Sequence, residues 1–204
     1  REEEVAKIIS FLTSKGQPGG FVLVKGEIGI GKTRLVKEVL NYPQLSGFIK
    51  VEVTLSPVTQ SVILYSVRAI LKQLVKENVE LFSKLSASSM GEISKLFPPL
   101  GEKNEEPVYV IDKFRLFDAI QDVLEIVTNA GRTLLLFVDN VQWADLHSLE
   151  VFHFIARSSI ADKVPMIFTS RIEEMHREET LSKLITNIVR EAPSLIIDLG
   201  PLKI

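Results

Sequence analysis

Apolar positions recur along this chain at two spacings, one helical and one strand-like, and the two alternate from end to end. Residues 1–14 put Val5, Ile8, Ile9 and Leu12 on one face, with charges on the other, which predicts an amphipathic helix. Lys15-Gly16-Gln17-Pro18-Gly19-Gly20 should end it and turn the chain into a strand. Residues 21–40, FVLVKGEIGIGKTRLVKEVL, then read as strand, glycine-rich loop and helix, because Leu35, Val36, Val39 and Leu40 return to helical spacing. Asn41-Tyr42-Pro43 breaks that helix, residues 48–55 (FIKVEVTL) alternate as a second strand, and Ser56-Pro57 closes it. Ile63, Val67, Ile70, Leu71 and Leu74 predict a long helix.

Between residues 80 and 108 the pattern is weak, reading as short helices and a surface loop without assigned chemistry. Residues 113–128 predict a helix with Phe114, Phe117, Ile120, Leu124 and Val127 on its stripe and Gly131 as its stop. Residues 133–139 (TLLLFVD) form a continuous apolar run closed by an acid, as in a strand buried on both faces. Helix over 148–157, strand over 164–170, helix over 180–190 and strand over 194–199 complete the rhythm. Strands alternating with helices in this way predict an α/β fold with a parallel sheet covered on both sides. No internal repeat or linker divides residues 1–204.

Composition narrows this picture. With 46% hydrophobic and 25% charged residues, a 204-residue chain can bury one large core, and nothing in the composition suggests disorder. A net charge of −2 with interspersed signs offers no basic footprint for nucleic acid. No apolar run approaches the roughly 18 residues of a membrane span. The absence of cysteine rules out disulfides and thiolate metal sites and suits a reducing, cytoplasmic setting. The chain begins at Arg1 without Met and stops at Pro201-Leu202-Lys203-Ile204, so a piece of a longer protein is expected.

The chemistry concentrates at Gly26-Glu27-Ile28-Gly29-Ile30-Gly31-Lys32-Thr33, a G-x-x-x-x-G-K-[ST] phosphate-binding loop between strand and helix. Glycines at 26, 29 and 31 let successive backbone N–H groups point inward at phosphate oxygens. The helix beginning near Lys32 adds its positive dipole end, and Arg34 in its first turn belongs to the same nucleotide-binding segment. Lys32 would meet the β- and γ-phosphates, and the Thr33 hydroxyl suits Mg²⁺. Asp139 ends the most apolar strand, at the edge where open parallel sheets bind ligands, and there it either holds Mg²⁺ through water or caps the following turn. Arg171 follows the strand over 164–170; it is either a γ-phosphate sensor or a surface arginine paired with Glu173 or Glu174. His147, His153 and His176 share no metal spacing and read as structural or surface residues, and Trp143 as an anchor for the loop after Asp139.

Arg1-Glu2-Glu3-Glu4, GEIGIGKTRL, FRLFDAI, LLLFVDNVQWADLHSLE, the strand ending in Thr-Ser-Arg before Glu-Glu, and the terminal LGPL resemble, in that order, the ATPase domain of AAA-16-like predicted ATPases. These belong to the STAND class of P-loop NTPases, which includes large ATP-binding LuxR-type and MalT-type regulators. The resemblance implies a three-layer P-loop fold with a five-stranded sheet in the order 5-1-4-3-2, Lys32 and Thr33 as the Walker A pair, Asp139 as the Walker B acid and Arg171 as sensor. It implies ATP, ADP and Mg²⁺ as ligands, Arg1 and Glu2 bordering the adenine, flanking sensor and effector domains, and a nucleotide-dependent switch with self-association in its ATP form. Relatives commonly carry a second acid after the Walker B aspartate, where this chain has Asn140. An amide can orient a water without taking its proton, which makes slow turnover the expectation. Gln142 and Asp145 are the substitute candidates for handling that water. Three functions follow: a slow ATPase switch, a nucleotide-holding scaffold with little turnover, and, less favoured by the strand layout, a P-loop kinase.

Overall fold

The computed structural model describes residues 1–14, 20–77, 79–97, 112–129, 131–175 and 179–201. In chain order these form α1 (Glu2–Thr13), β1 (Phe21–Gly26), α2 (Lys32–Leu40), β2 (Ile49–Thr54), α3 (Pro57–Gln60), α4 (Tyr65–Glu77), α5 (Val79–Phe82), α6 (Ala87–Ser94), α7 (Lys113–Thr128), β3 (Leu134–Asp139), α8 (Leu146–Arg157), β4 (Met166–Arg171), α9 (Ile172–Met175), α10 (Glu179–Glu191) and β5 (Ser194–Asp198). The strands pair in parallel in one sheet of order β2-β3-β4-β1-β5, which is the expected 5-1-4-3-2 read from the opposite edge.

Two cores flank this sheet, and strand alternation sorts residues between them. Phe21 and Leu23, Leu134, Leu136 and Val138, and Met166 and Phe168 face a layer with buried residues of α4, α7, α8 and α10. Val22 and Val24, Leu135 and Phe137, and Ile167 face α1 and α2. Phe168 joins its layer through edge contacts with Phe21 and Phe152, each at 5.0 Å between ring centres. All six residues of β3 are buried, as its unbroken apolar run predicts.

Two apolar stripes differ from expectation. Ile63 lies outside α4 and is 59% exposed, because Leu64 takes a left-handed conformation (φ 57°) that interrupts the helical run. The strained Leu64 amide donates to the Asp145 carboxylate at 2.9 Å. Phe114 is 79% exposed, and Leu116, Ala119, Ile120, Val123, Leu124 and Val127 form the buried face of α7. Phe117 instead stacks on Phe154, with ring centres 5.0 Å apart. Helix α8 starts two residues earlier than predicted because Asp145 caps it, accepting from the Ser148 amide at 3.0 Å. The turn residues 15–19, residues 98–108 of the weak stretch, His176 and the terminal residues 202–204 lie outside the described residues.

Candidate functional site

The site forms where β1, β3 and β4 end together. Gly26 stands opposite Arg171 in the β1–β4 register, and Thr54 opposite Asp139 in the β2–β3 register. After Gly26 the chain turns through residues 27–31 into α2, with Gly29 and Gly31 at φ 75° and 99°, a backbone region that L-residues disfavour. Lys32 opens α2 and is buried; its ammonium donates to the carbonyls of Gly26 and Glu27, both at 2.8 Å. Burial, and then the nearby Arg171 guanidinium, hold the Lys32 pKa below its ordinary value, against the opposing pull of Glu173 and Asp139.

Alternation delivers the second half. Asp139 shares strand parity with Leu135 and Phe137, and Thr169 with Ile167, so both project to the α2 side of the sheet. There the Thr33 hydroxyl donates to the Asp139 carboxylate, 2.9 Å from Oδ1 and 3.0 Å from Oδ2. Thr169 Oγ1 donates to Asp139 Oδ1 at 2.5 Å and accepts from the Asn140 amide at 2.8 Å. Asp139 therefore joins Thr33 to β4 and does not cap the turn that follows it. Asn140 adopts the left-handed conformation (φ 60°) that asparagine tolerates better than most residues. Ile28, Gly29, Gly31, Lys32, Thr33, Arg34, Asn140 and Arg171 line one cleft of about 330 Å³.

Thr169 was not singled out by sequence, since a threonine within an apolar strand reads as ordinary β-propensity. Its signal is the parity it shares with Asp139 across paired strands. It is fully buried, so Thr169→Val keeps the shape and leaves the Asn140 amide and an Asp139 oxygen short of a partner. Thermal unfolding should show a loss of about 1–3 kcal/mol.

The two substitute candidates lie differently. Both Asp145 oxygens are engaged, Oδ1 by the Leu64 and Ser148 amides and Oδ2 by the Ser148 hydroxyl at 2.6 Å, so this acid ties α8 to the start of α4. Gln142 is buried, and its amide atoms make no hydrogen bond among the described residues. Trp143 packs half-buried against the larger core, consistent with an anchor. His147 lies 3.3 Å from Glu150 and His153 2.7 Å from Glu191, both on the outside of α8. Arg1 is not at the cleft wall; it bonds the backbone of Ile30 and Gly200.

The oxygen donors present suit a hard cation. Thr33 and Asp139 supply a hydroxyl and a carboxylate side by side, as Mg²⁺ sites completed by phosphates and water do. Among the described residues no cluster of three or more His, Cys, Asp or Glu could hold a metal alone. No helix among them is long and apolar enough to cross a membrane.

The family model of the AAA ATPase domain matches residues 1–168. No curated protein matches the chain. Among solved structures, Cdc6p from Pyrobaculum aerophilum aligns over 100% of this chain and 46% of its own, at 11% identity and a TM-score of 0.57. PCH-2 of C. elegans aligns over 98% and 43% at 17% identity, with a TM-score of 0.48. This chain thus spans less than half of either protein, and at 11% identity the likeness to Cdc6p speaks for the fold alone.

Proposed function

The chain belongs to the AAA ATPase domain family, and from that premise we propose that it binds ATP and ADP with Mg²⁺ and hydrolyses ATP slowly, as the nucleotide-controlled switch of a larger regulatory protein. The observation that carries the reading is the 2.9 Å contact between Thr33, in the phosphate loop, and Asp139, 106 residues away on another strand. A hydroxyl and a carboxylate set side by side next to a glycine loop serve a metal-bound triphosphate better than a structural purpose. In this reading the glycine loop and Lys32 hold the phosphates, while Thr33 and Asp139 hold Mg²⁺, which when bound would neutralise charge on the phosphate oxygens. Arg171, on the cleft wall beside Lys32, reads the terminal phosphate, and Asn140 orients the attacking water. Flanking sensor and effector domains would take up the change between ATP and ADP forms, with self-association of the ATP form. Titration calorimetry with Mg·ADP and Mg·ATP tests the core of this proposal, and heat from neither nucleotide would remove it.

A second reading, a scaffold that holds nucleotide with hardly any turnover, is favoured by the engagement of Asp145 elsewhere and the amide at 140. Single-turnover hydrolysis separates the two. Asn140→Asp supplies a proton acceptor at the cleft wall and should speed hydrolysis at least about tenfold if a missing base limits the chemistry. An unchanged rate would remove Asn140 from the account.

A further inference from the structure

Arg1 reaches the phosphate loop from outside the cleft. Its Nη2 donates to the Ile30 carbonyl at 3.1 Å and to the Gly200 carbonyl at 2.8 Å, so one nitrogen with two hydrogens joins the chain's first residue to the loop and to the segment after β5. That segment is itself fixed to β1, since the Leu199 amide donates to the Lys25 carbonyl at 2.8 Å. The junction is tight: a Cβ at Gly26 would lie 2.8 Å from the Leu199 oxygen and 3.0 Å from Ile30 Cγ2. Arg1 is therefore braced on one side by backbone attached to the sheet and grips the loop on the other.

The bond to Ile30 acts on Gly31. A trans peptide is planar, with the carbonyl of one residue and the N–H of the next pointing opposite ways. Holding the Ile30 oxygen toward Arg1 turns the Gly31 N–H to the far side of that plane. Gly31 lines the cleft, whereas Arg1 does not. On the Gly31 side of that plane, at φ 99°, no side chain restricts it, so the bond from Arg1 adds to what Ile30 alone imposes.

We infer that Arg1 is a positioning residue for the phosphate loop, aiming the Gly31 amide at phosphate and, through its charge on the shared peptide, making that amide a stronger donor. The inference rests on the nucleotide-binding reading of residues 26–33, and it assigns Arg1 to the phosphate end of the ligand, where the family resemblance puts it near the base.

The test compares the 204-residue chain with its Arg1→Ala and Arg1→Lys variants. In ligand-free protein the Gly31 amide resonance should shift in Arg1→Ala and return part of the way in Arg1→Lys. A Gly31 resonance indifferent to both variants overturns the inference, whether or not the chain binds nucleotide. Calorimetry then uses Mg·ADP, Mg·tripolyphosphate and adenosine as separate probes. Arg1→Ala should weaken Mg·ADP and Mg·tripolyphosphate by the same factor, about tenfold, and leave adenosine unchanged, with Arg1→Lys recovering part of the loss. Loss confined to ADP and adenosine, with tripolyphosphate intact, would make Arg1 a base contact and overturn the assignment. Should Arg1→Ala unfold, Arg1→Lys carries the same comparison, with a smaller but parallel loss on both phosphate probes. Failure of wild-type protein to bind any probe would strike the nucleotide reading, not the Gly31 result.

Discussion

Replacing Lys32 with alanine should abolish calorimetrically detectable binding of ADP and ATP, a loss of at least about 100-fold. The substitution removes the buried positive charge that opens α2 at the glycine loop, which the Arg34 and Arg171 side chains of the same cleft do not replace at that place. Fold stability should move by no more than about 1 kcal/mol, since two opposing effects meet at this side chain. The ammonium bonds two loop carbonyls, yet burial and Arg171 hold its folded pKa below the unfolded 10.5. A lysine with a depressed folded pKa carries its proton at a cost. That cost is present at neutral pH and is relieved as pH rises through the folded pKa toward 10.5. Binding should run the opposite way, with ADP affinity falling as the same proton leaves, from a pH below 10.5. Lys32→Ala should erase the alkaline change in stability, and ADP affinity retained in this variant would contradict the assignment of Lys32.

Asp139→Asn should remove the benefit of magnesium. Wild-type affinity for ATP is expected to rise when Mg²⁺ is added; in the variant the nucleotide should bind alike with and without the metal, and single-turnover hydrolysis should fall by about 100-fold or more. The amide keeps the size of the buried carboxylate and can still accept from Thr33 or Thr169, so the site should stay folded while losing the negative charge that attracts the cation. Magnesium enhancement that survives in Asp139→Asn would mean that this acid is not at the metal.

The sequence carried the glycine loop and β3 openly, for physical reasons. Glycines at 26, 29 and 31 ahead of Lys32-Thr33 are needed for backbone geometry, and an unbroken apolar run closed by Asp139 has few places to go except the centre of a sheet. The order of five strands came from the resemblance to a family, not from periodicity, and it agrees with the structure. Less visible were features made by distant residues meeting. Ile63 matched helical spacing, but the turn at Leu64, held by Asp145 from 81 positions away, ends the helix short of it. Phe114 matched the α7 stripe and yet lies round the helix from the buried face, two residues before Leu116. Thr169 looked like any strand threonine until β4 came to rest beside β3. In each case pattern read one element, while the outcome depended on two.

Since side chains leave a strand on alternate sides, Asp139 keeps company with Thr33 by counting. A single residue inserted into or lost from β3 would swing the acid round to the α7 and α8 side and present Val138, after an insertion, or Asn140, after a loss, to the Thr33 hydroxyl instead. Leucine, phenylalanine or valine could trade places along that strand at modest cost, but its length from the bottom of the sheet to the acid has no such latitude. Descendants of this chain should therefore show substitutions in β3 and gaps only beyond its ends.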